Sequence, residues 1–212
     1  MVESLDATGS ARAFERFGGA CALLAGLVNL GYAVAFVVLD SDPGSALFLL
    51  LAGLAGVPVL VALYGRLRPT EPGMALCALV LGVGGAFGAA THGGYDLANA
   101  LHPPGATGDL PNAVDPRGLA TFGLTGLAVL AVAWLIRRGG RLPAGLGTLG
   151  YLLGVLLLAL WLGRLIVLEA TSPVIVVPAL LAGFLVGPAW YLWLGRVLLA
   201  GAPAAGPDVT AR

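Results

Sequence analysis

Six stretches of this chain run for 18 or more residues with almost no charge, and nothing else in the sequence constrains the fold so tightly. They are Phe17 to Leu39, Gly44 to Tyr64, Gly73 to about Gly94, Leu119 to Ile136, Ala144 to about Leu168, and Val174 to Leu194. A hydrocarbon core about 30 Å thick takes roughly 20 apolar residues of helix to cross. Inside lipid only helices and closed barrels satisfy their own backbone. The predicted fold is therefore all-α, a polytopic bundle of six transmembrane helices. Only 10% of the 212 residues are charged, against about 25% in soluble domains. Turn chemistry divides the runs: Asp40-Ser41-Asp42-Pro43, Arg68 to Pro72, Arg137 to Arg141, and Glu169 to Pro173. The longest connection, Ala100 to Gly118, carries Pro103, Pro104, Pro111 and Pro116 and is too broken for a helix.

Arginine placement predicts the orientation. Arg12, Arg16, Arg66, Arg68, Arg137, Arg138, Arg141, Arg196 and Arg212 fall on one side of the six-span map; Arg117 and Arg164 fall on the other. The positive-inside rule then puts both termini in the cytoplasm. The expected organisation is a cytoplasmic segment over 1–16, a six-helix domain over 17–199 and a disordered cytoplasmic tail over 200–212. Ala33-Val34-Ala35 has the small-x-small form of a signal cleavage site. The run is longer than a signal core, however, and Glu3, Asp6 and Glu15 make the leader acidic, so retention is expected. Tyr64, Trp134, Trp190, Tyr191 and Trp193 are placed at the inner interface and Trp161 at the outer one.

Several functions drop out early. The chain has no lysine, which removes Schiff-base chemistry, and its zero net charge implies no nucleic-acid partner. Cys21 and Cys77 form no C-x-x-C pair and read as buried thiols, so a disulfide relay is rejected. The string Gly82 to Gly88 lacks the last glycine of a dinucleotide loop and lies inside a span. No serine sits in G-x-S-x-G. No cofactor is expected and no catalytic residue is assigned.

Small residues mark where helices should meet, because they let backbones approach closely in lipid. Span three has Gly84-x-x-x-Gly88 with Gly82, Gly85 and Ala89 and is placed at the centre. Span five has Gly147, Gly150 and Gly154. Span six has Ala179, Gly183 and Gly187, with Pro188 expected to kink it.

Polar groups inside spans are the best functional pointers. His92, Asp96 and Asn99 recur at i, i+4 and i+7 on one face of span three. Arg164 in span five falls on the glycine side of its helix. Span one adds Asn29 and Tyr32, and span four Thr121 and Thr125. At about 1.5 Å per residue, Asn29 lies near mid-membrane while His92 and Arg164 lie near the outer interface. The expectation is a pocket open to the outside, roofed by the Ala100 to Gly118 loop, with His92, Asp96, Asn99, Arg164, Asn29 and Tyr32 as ligand-binding residues. Plainer readings stand beside it: Arg164 reaching headgroups, His92 with Asp96 as a helix-end pair, Asn29 as interhelical glue. His92, Asp96 and His102 are weak metal candidates, conditional on the prolines turning the chain back.

Three stretches look familiar together: His92 to Leu101 running into Asp115-Pro116-Arg117-Gly118-Leu119; Arg141-Leu142-Pro143 with Leu146-Gly147-Thr148-Leu149-Gly150; and Gly187-Pro188-Ala189-Trp190-Tyr191-Leu192-Trp193-Leu194-Gly195. They resemble bacterial multi-span membrane proteins classed only as domains of unknown function. The resemblance implies a six-helix inner-membrane protein and supplies no activity. Heavy Ala, Gly and Arg use fits a GC-rich bacterial genome. The expected function is non-enzymatic binding or movement of a small ligand in the bacterial inner (plasma) membrane, with the bilayer as one partner. The alternatives are a structural or assembly subunit, homo-oligomeric or within a larger membrane complex, and a metal-assisted hydrolase.

Overall fold

The structure is a computed structural model that describes residues 2–102, 120–167 and 171–201. It is all-helical, with six helices long and apolar enough to cross a bilayer: α1 Gly9–Val38, α2 Asp42–Leu67, α3 Pro72–Leu101, α4 Thr121–Gly139, α5 Ala144–Ile166 and α6 Pro173–Ala200. The chain is a multi-pass membrane protein. Its outer faces suit hydrocarbon, with Leu27, Val80, Phe87, Leu152 and Leu185 among many exposed apolar side chains. Of the expected roofing loop, residues 103–119 lie outside the described residues, as does most of the expected tail.

Local chemistry explains the helix ends. The Ser41 hydroxyl accepts from Gly44 N at 3.3 Å and caps α2, with Pro43 in its first turn. The Glu71 carboxylate accepts from Gly73 N and Met74 N and caps α3. Gly140, at φ 61°, ends α4 in the left-handed conformation that glycine adopts without strain. Helix also extends ahead of the first apolar run, starting at Val2. Ahead of Pro188 the helix is irregular: a π-helical stretch, Leu181–Val186, precedes it, and Gly187 N bonds back five residues to Ala182 O. Similar π turns occur at Val34–Val38 and Ala120–Leu124.

The spans form a closed ring in chain order, each packed on the next, with α6 returning to α1. Span three is therefore not central; a cavity occupies the middle. Its buried stripe is Gly82, Gly85, Ala86, Ala89 and Gly93, whereas Gly84 and Gly88 are only half-buried. Gly53 of α2 rests on the Ala86 and Ala90 backbone, and Gly93 of α3 on Ala46 and Leu50. Gly19 of α1 meets Gly195 of α6 in the same way.

The arginine-bearing end is solid. Leu67, Leu135, Leu146, Leu194 and Leu198 are buried there, with Leu142 tucked in from the α4–α5 turn. Arg66 Nη1 pairs with Glu15 Oε1 at 2.5 Å, largely enclosed, and its Nη2 donates to Arg141 O at 3.3 Å. Arg138 lies over the Trp134 ring at 5.1 Å. These contacts tie α1, α2 and the α4–α5 turn together at one end.

The tightest seam can be tested directly. A Cβ on Gly53 would sit 2.5 Å from Ala86 O and 2.6 Å from Ala90 N, both backbone atoms that cannot swing away. Gly53→Val should destabilise by about 2 kcal/mol through overpacking and lower the melting temperature in mild detergent. Gly65→Ala, which meets nothing within 4 Å, should be silent or slightly stabilising.

Candidate functional site

The hollow end of the ring holds a cavity of about 870 Å³, lined by all six spans. That volume lies within the range of roughly 300–1,000 Å³ common to small-molecule sites. Asn29, Tyr32, His92, Asp96, Asn99 and Arg164, the six residues singled out from sequence, all line it. Three helices bring them there: α3 by its i, i+4, i+7 spacing, α5 through its last turn, and α1 from mid-span.

Within this group His92 Nε2 and Asp96 Oδ2 are 2.9 Å apart along α3. Both are partly accessible, with side-chain exposures of 20% and 37%, so the pair faces open space and is not sealed in packing. Tyr32 lines the same cavity as Asp96 and Arg164, so α1, α3 and α5 all contribute to this polar group. Its ring stacks on Phe36, centroids 5.8 Å apart and 9° from parallel. Asn29 Nδ2 donates to Ala25 O of its own helix at 2.8 Å, and the residue lines the cavity.

His102 stays apart. It is the exposed C-terminal cap of α3 and does not line the cavity. Among the described residues no three His, Cys, Asp or Glu side chains come together as a metal site would need. The turn of chain required to bring His102 back does not occur by residue 102, because α3 runs straight on to Leu101.

Further residues join the lining. Thr121 and Thr125, which the sequence also marks in span four, border it, with Thr121 8% exposed; Ser45, 7% exposed, and Trp161 are on its wall as well. The Ser45 hydroxyl donates to Asp42 O at 3.1 Å, so it serves the start of its own helix. Trp190 and Tyr191 are corrected outright: the sequence puts them at the inner interface, yet Trp190 is 2% exposed and both lie at the cavity floor. Trp190 Nε1 donates to Leu146 O at 3.2 Å across to α5. The bare surface of Gly150 makes room for the indole, whose Nε1 would lie 3.0 Å from an added Cβ. The glycines of span five were the available signal, pointing to a large partner as well as to a helix crossing.

The cavity is thus two-faced. Charged and hydrogen-bonding groups gather toward the arginine-poor end, while Val59, Leu63, Val132 and Leu153 line the deeper part. Below them the leucine cluster closes the other end. A molecule seated here would meet polar groups with one end and hydrocarbon with the rest.

Comparison with protein families, curated proteins and solved structures finds no match. The multi-span resemblance rests at the level of six apolar helices, and no family is identified by it.

Trp190→Phe keeps the ring in the floor and removes its hydrogen bond. It should cost about 1 kcal/mol, read as a lower melting temperature with an unchanged far-ultraviolet helical spectrum. An unchanged melting temperature would mean that the Leu146 contact carries no net stability.

Proposed function

We propose that this protein binds a small amphipathic molecule in its central cavity, without catalysing a reaction. One observation carries this reading: a single cavity takes in all six polar residues singled out from sequence and continues into a deeper wall that includes Val59, Leu63, Val132 and Leu153. Arg164 supplies a charge-assisted donor for an anionic head. Asp96, Asn99 and the Asn29 carbonyl accept from hydroxyl or amine groups, and His92 can do either. The burial of polar groups in lipid is costly unless they serve packing or a ligand, and an accessible His92–Asp96 pair beside this much space favours a ligand. The leucine cluster closes the arginine-bearing end, which supports binding over open conduction.

In this reading the protein sits in a bacterial inner membrane with the arginine-bearing end in the cytoplasm and the polar half of the cavity toward the outside. Nine of the eleven arginines fall on the cytoplasmic side of the map, the asymmetry that the positive-inside rule uses. Reporter fusions in the Arg68–Thr70 and Arg138–Arg141 turns should report cytoplasmic placement. A fusion at Asp40–Asp42 should report the opposite face.

Hexyl phosphate, soluble and amphipathic, is a suitable probe of the site itself. Calorimetry in mild detergent should show binding to the wild type, weakened roughly 10- to 100-fold by Arg164→Ala, the usual cost of losing a hydrogen bond to a charged group. Wild-type affinity in Arg164→Ala, or no binding to the wild type, would overturn the reading.

A further inference from the structure

Resting on that reading, we infer that the ligand is a membrane lipid with an anionic head, and that its chain enters the cavity sideways through a gap between α1 and α6. The two helices are close along their arginine-bearing halves, where Gly19 meets Gly195 and Gly26 receives Leu192. The last such contact is Gly183 against Ala33, with 3.1 Å between an added Cβ and the Ala33 Cβ. Beyond it the helices diverge. The α6 stretch Pro173–Leu180 packs on α5 rather than on α1.

The side chains beside this gap have an unusual pair of properties. Phe36 and Val37 of α1 and Val176 and Leu180 of α6 all line the cavity. The same four remain 59%, 51%, 36% and 38% exposed. A residue that borders an interior space and is also open to the outside marks an opening in the wall. Every one of these residues is apolar, and all lie in the last or first turns of helices apolar enough to span a bilayer. A rim of this chemistry suits contact with hydrocarbon better than with water.

Backbone irregularity coincides with the gap on both sides. The π turns Val34–Val38 and Leu181–Val186 flank it, and Pro178 interrupts the hydrogen-bond ladder of α6 beside it. Such π segments interrupt regular helices, often at functional sites. In lipid, irregular backbone is tolerated where it lines a cavity.

The chemistry selects the occupant. A long alkyl chain leaving the bilayer for an apolar cavity exchanges one hydrocarbon surrounding for another, whereas each methylene carried through water is costly. The sideways path therefore suits a lipid and gives no advantage to a soluble compound. Arg164 and the His92–Asp96 pair lie toward the arginine-poor end of the same space, where the headgroup of a lipid in that leaflet would be. Span six contributes only apolar residues and glycine beside the gap, so a chain passing it meets no polar group before the head is seated.

The full-length protein in phosphatidylcholine vesicles doped with a deuterated single-chain lipid phosphate tests this. Samples are extracted into mild detergent over time and bound lipid is counted by native mass spectrometry. Ala179→Trp narrows the gap, Phe36→Ala widens it from the other side, and Leu152→Trp adds the same bulk on the lipid face of α5. Uptake should slow about tenfold in Ala179→Trp, as for a gated access step, quicken in Phe36→Ala and stay unchanged in Leu152→Trp. Hexyl phosphate, which arrives through water, should associate with Ala179→Trp and Phe36→Ala at the wild-type rate, whatever its final affinity there, and bind Leu152→Trp as the wild type does. If lipid uptake by Phe36→Ala and Ala179→Trp matches the wild type while hexyl phosphate still binds, the sideways path is wrong and the binding site stands. Should Ala179→Trp fail to fold, the absence of faster uptake in Phe36→Ala is enough to overturn the path. A wild type that retains neither lipid nor hexyl phosphate removes the binding reading and this inference together.

Discussion

Helices in a bilayer gain nothing from hiding apolar surface against one another, since lipid tails are as apolar as leucine. Their association must come from contact quality, and here it comes from glycine and alanine. Gly53 on the Ala86 and Ala90 backbone, Gly93 on Ala46 and Leu50, and Gly19 on Gly195 are the places where neighbouring helices touch main chain to main chain. The ring is held by these seams. Where a seam ends, as at Ala33 and Gly183, nothing remains to keep the helices together, and they separate. The size and the openings of the cavity both follow from where small residues stop.

The two ends of the ring solve different problems. At the arginine-bearing end, large side chains fill the middle and the Glu15–Arg66–Arg141 contact joins elements far apart in sequence. Arginine there serves both the charge asymmetry that orients a chain and the local fastening of the bundle. At the other end, polar side chains and small residues share the cavity lining with Phe36, Trp161 and Leu180, and the middle is left unfilled. A packed end and a hollow end built on the same six helices give a container with a floor.

Much of this was legible before any coordinates. The span count, the turn positions and the shared face of His92, Asp96 and Asn99 follow from apolar run length and from 3.6-residue periodicity, both local properties. Arg164, Asn29 and Tyr32 could be placed by depth and by the small residues beside them. Trp190 could not: the sequence puts it at the inner interface, and its partner, Leu146 O beside the Gly150 surface, lies 44 residues away in sequence. The same limit affected His102, whose use as a ligand depended on a chain reversal that does not begin within α3. Gly84 and Gly88 misled for a related reason. A small-residue motif marks a surface able to pack closely, and Gly82, Gly85 and Gly93 offered a competing surface on another side of the same helix.

By itself, then, the sequence determined that the chain crosses a membrane six times as helix and which end carries the charge, because solvation acts on each segment independently of the others. Tertiary structure alone decided that the helices form a ring around a void and that α1 and α6 part at Ala33 and Gly183. It also decided that the deeper wall is apolar down to Trp190. Those features depend on which pairs of distant surfaces meet, and with small residues on nearly every span, pairing is settled only when all six contacts are satisfied together.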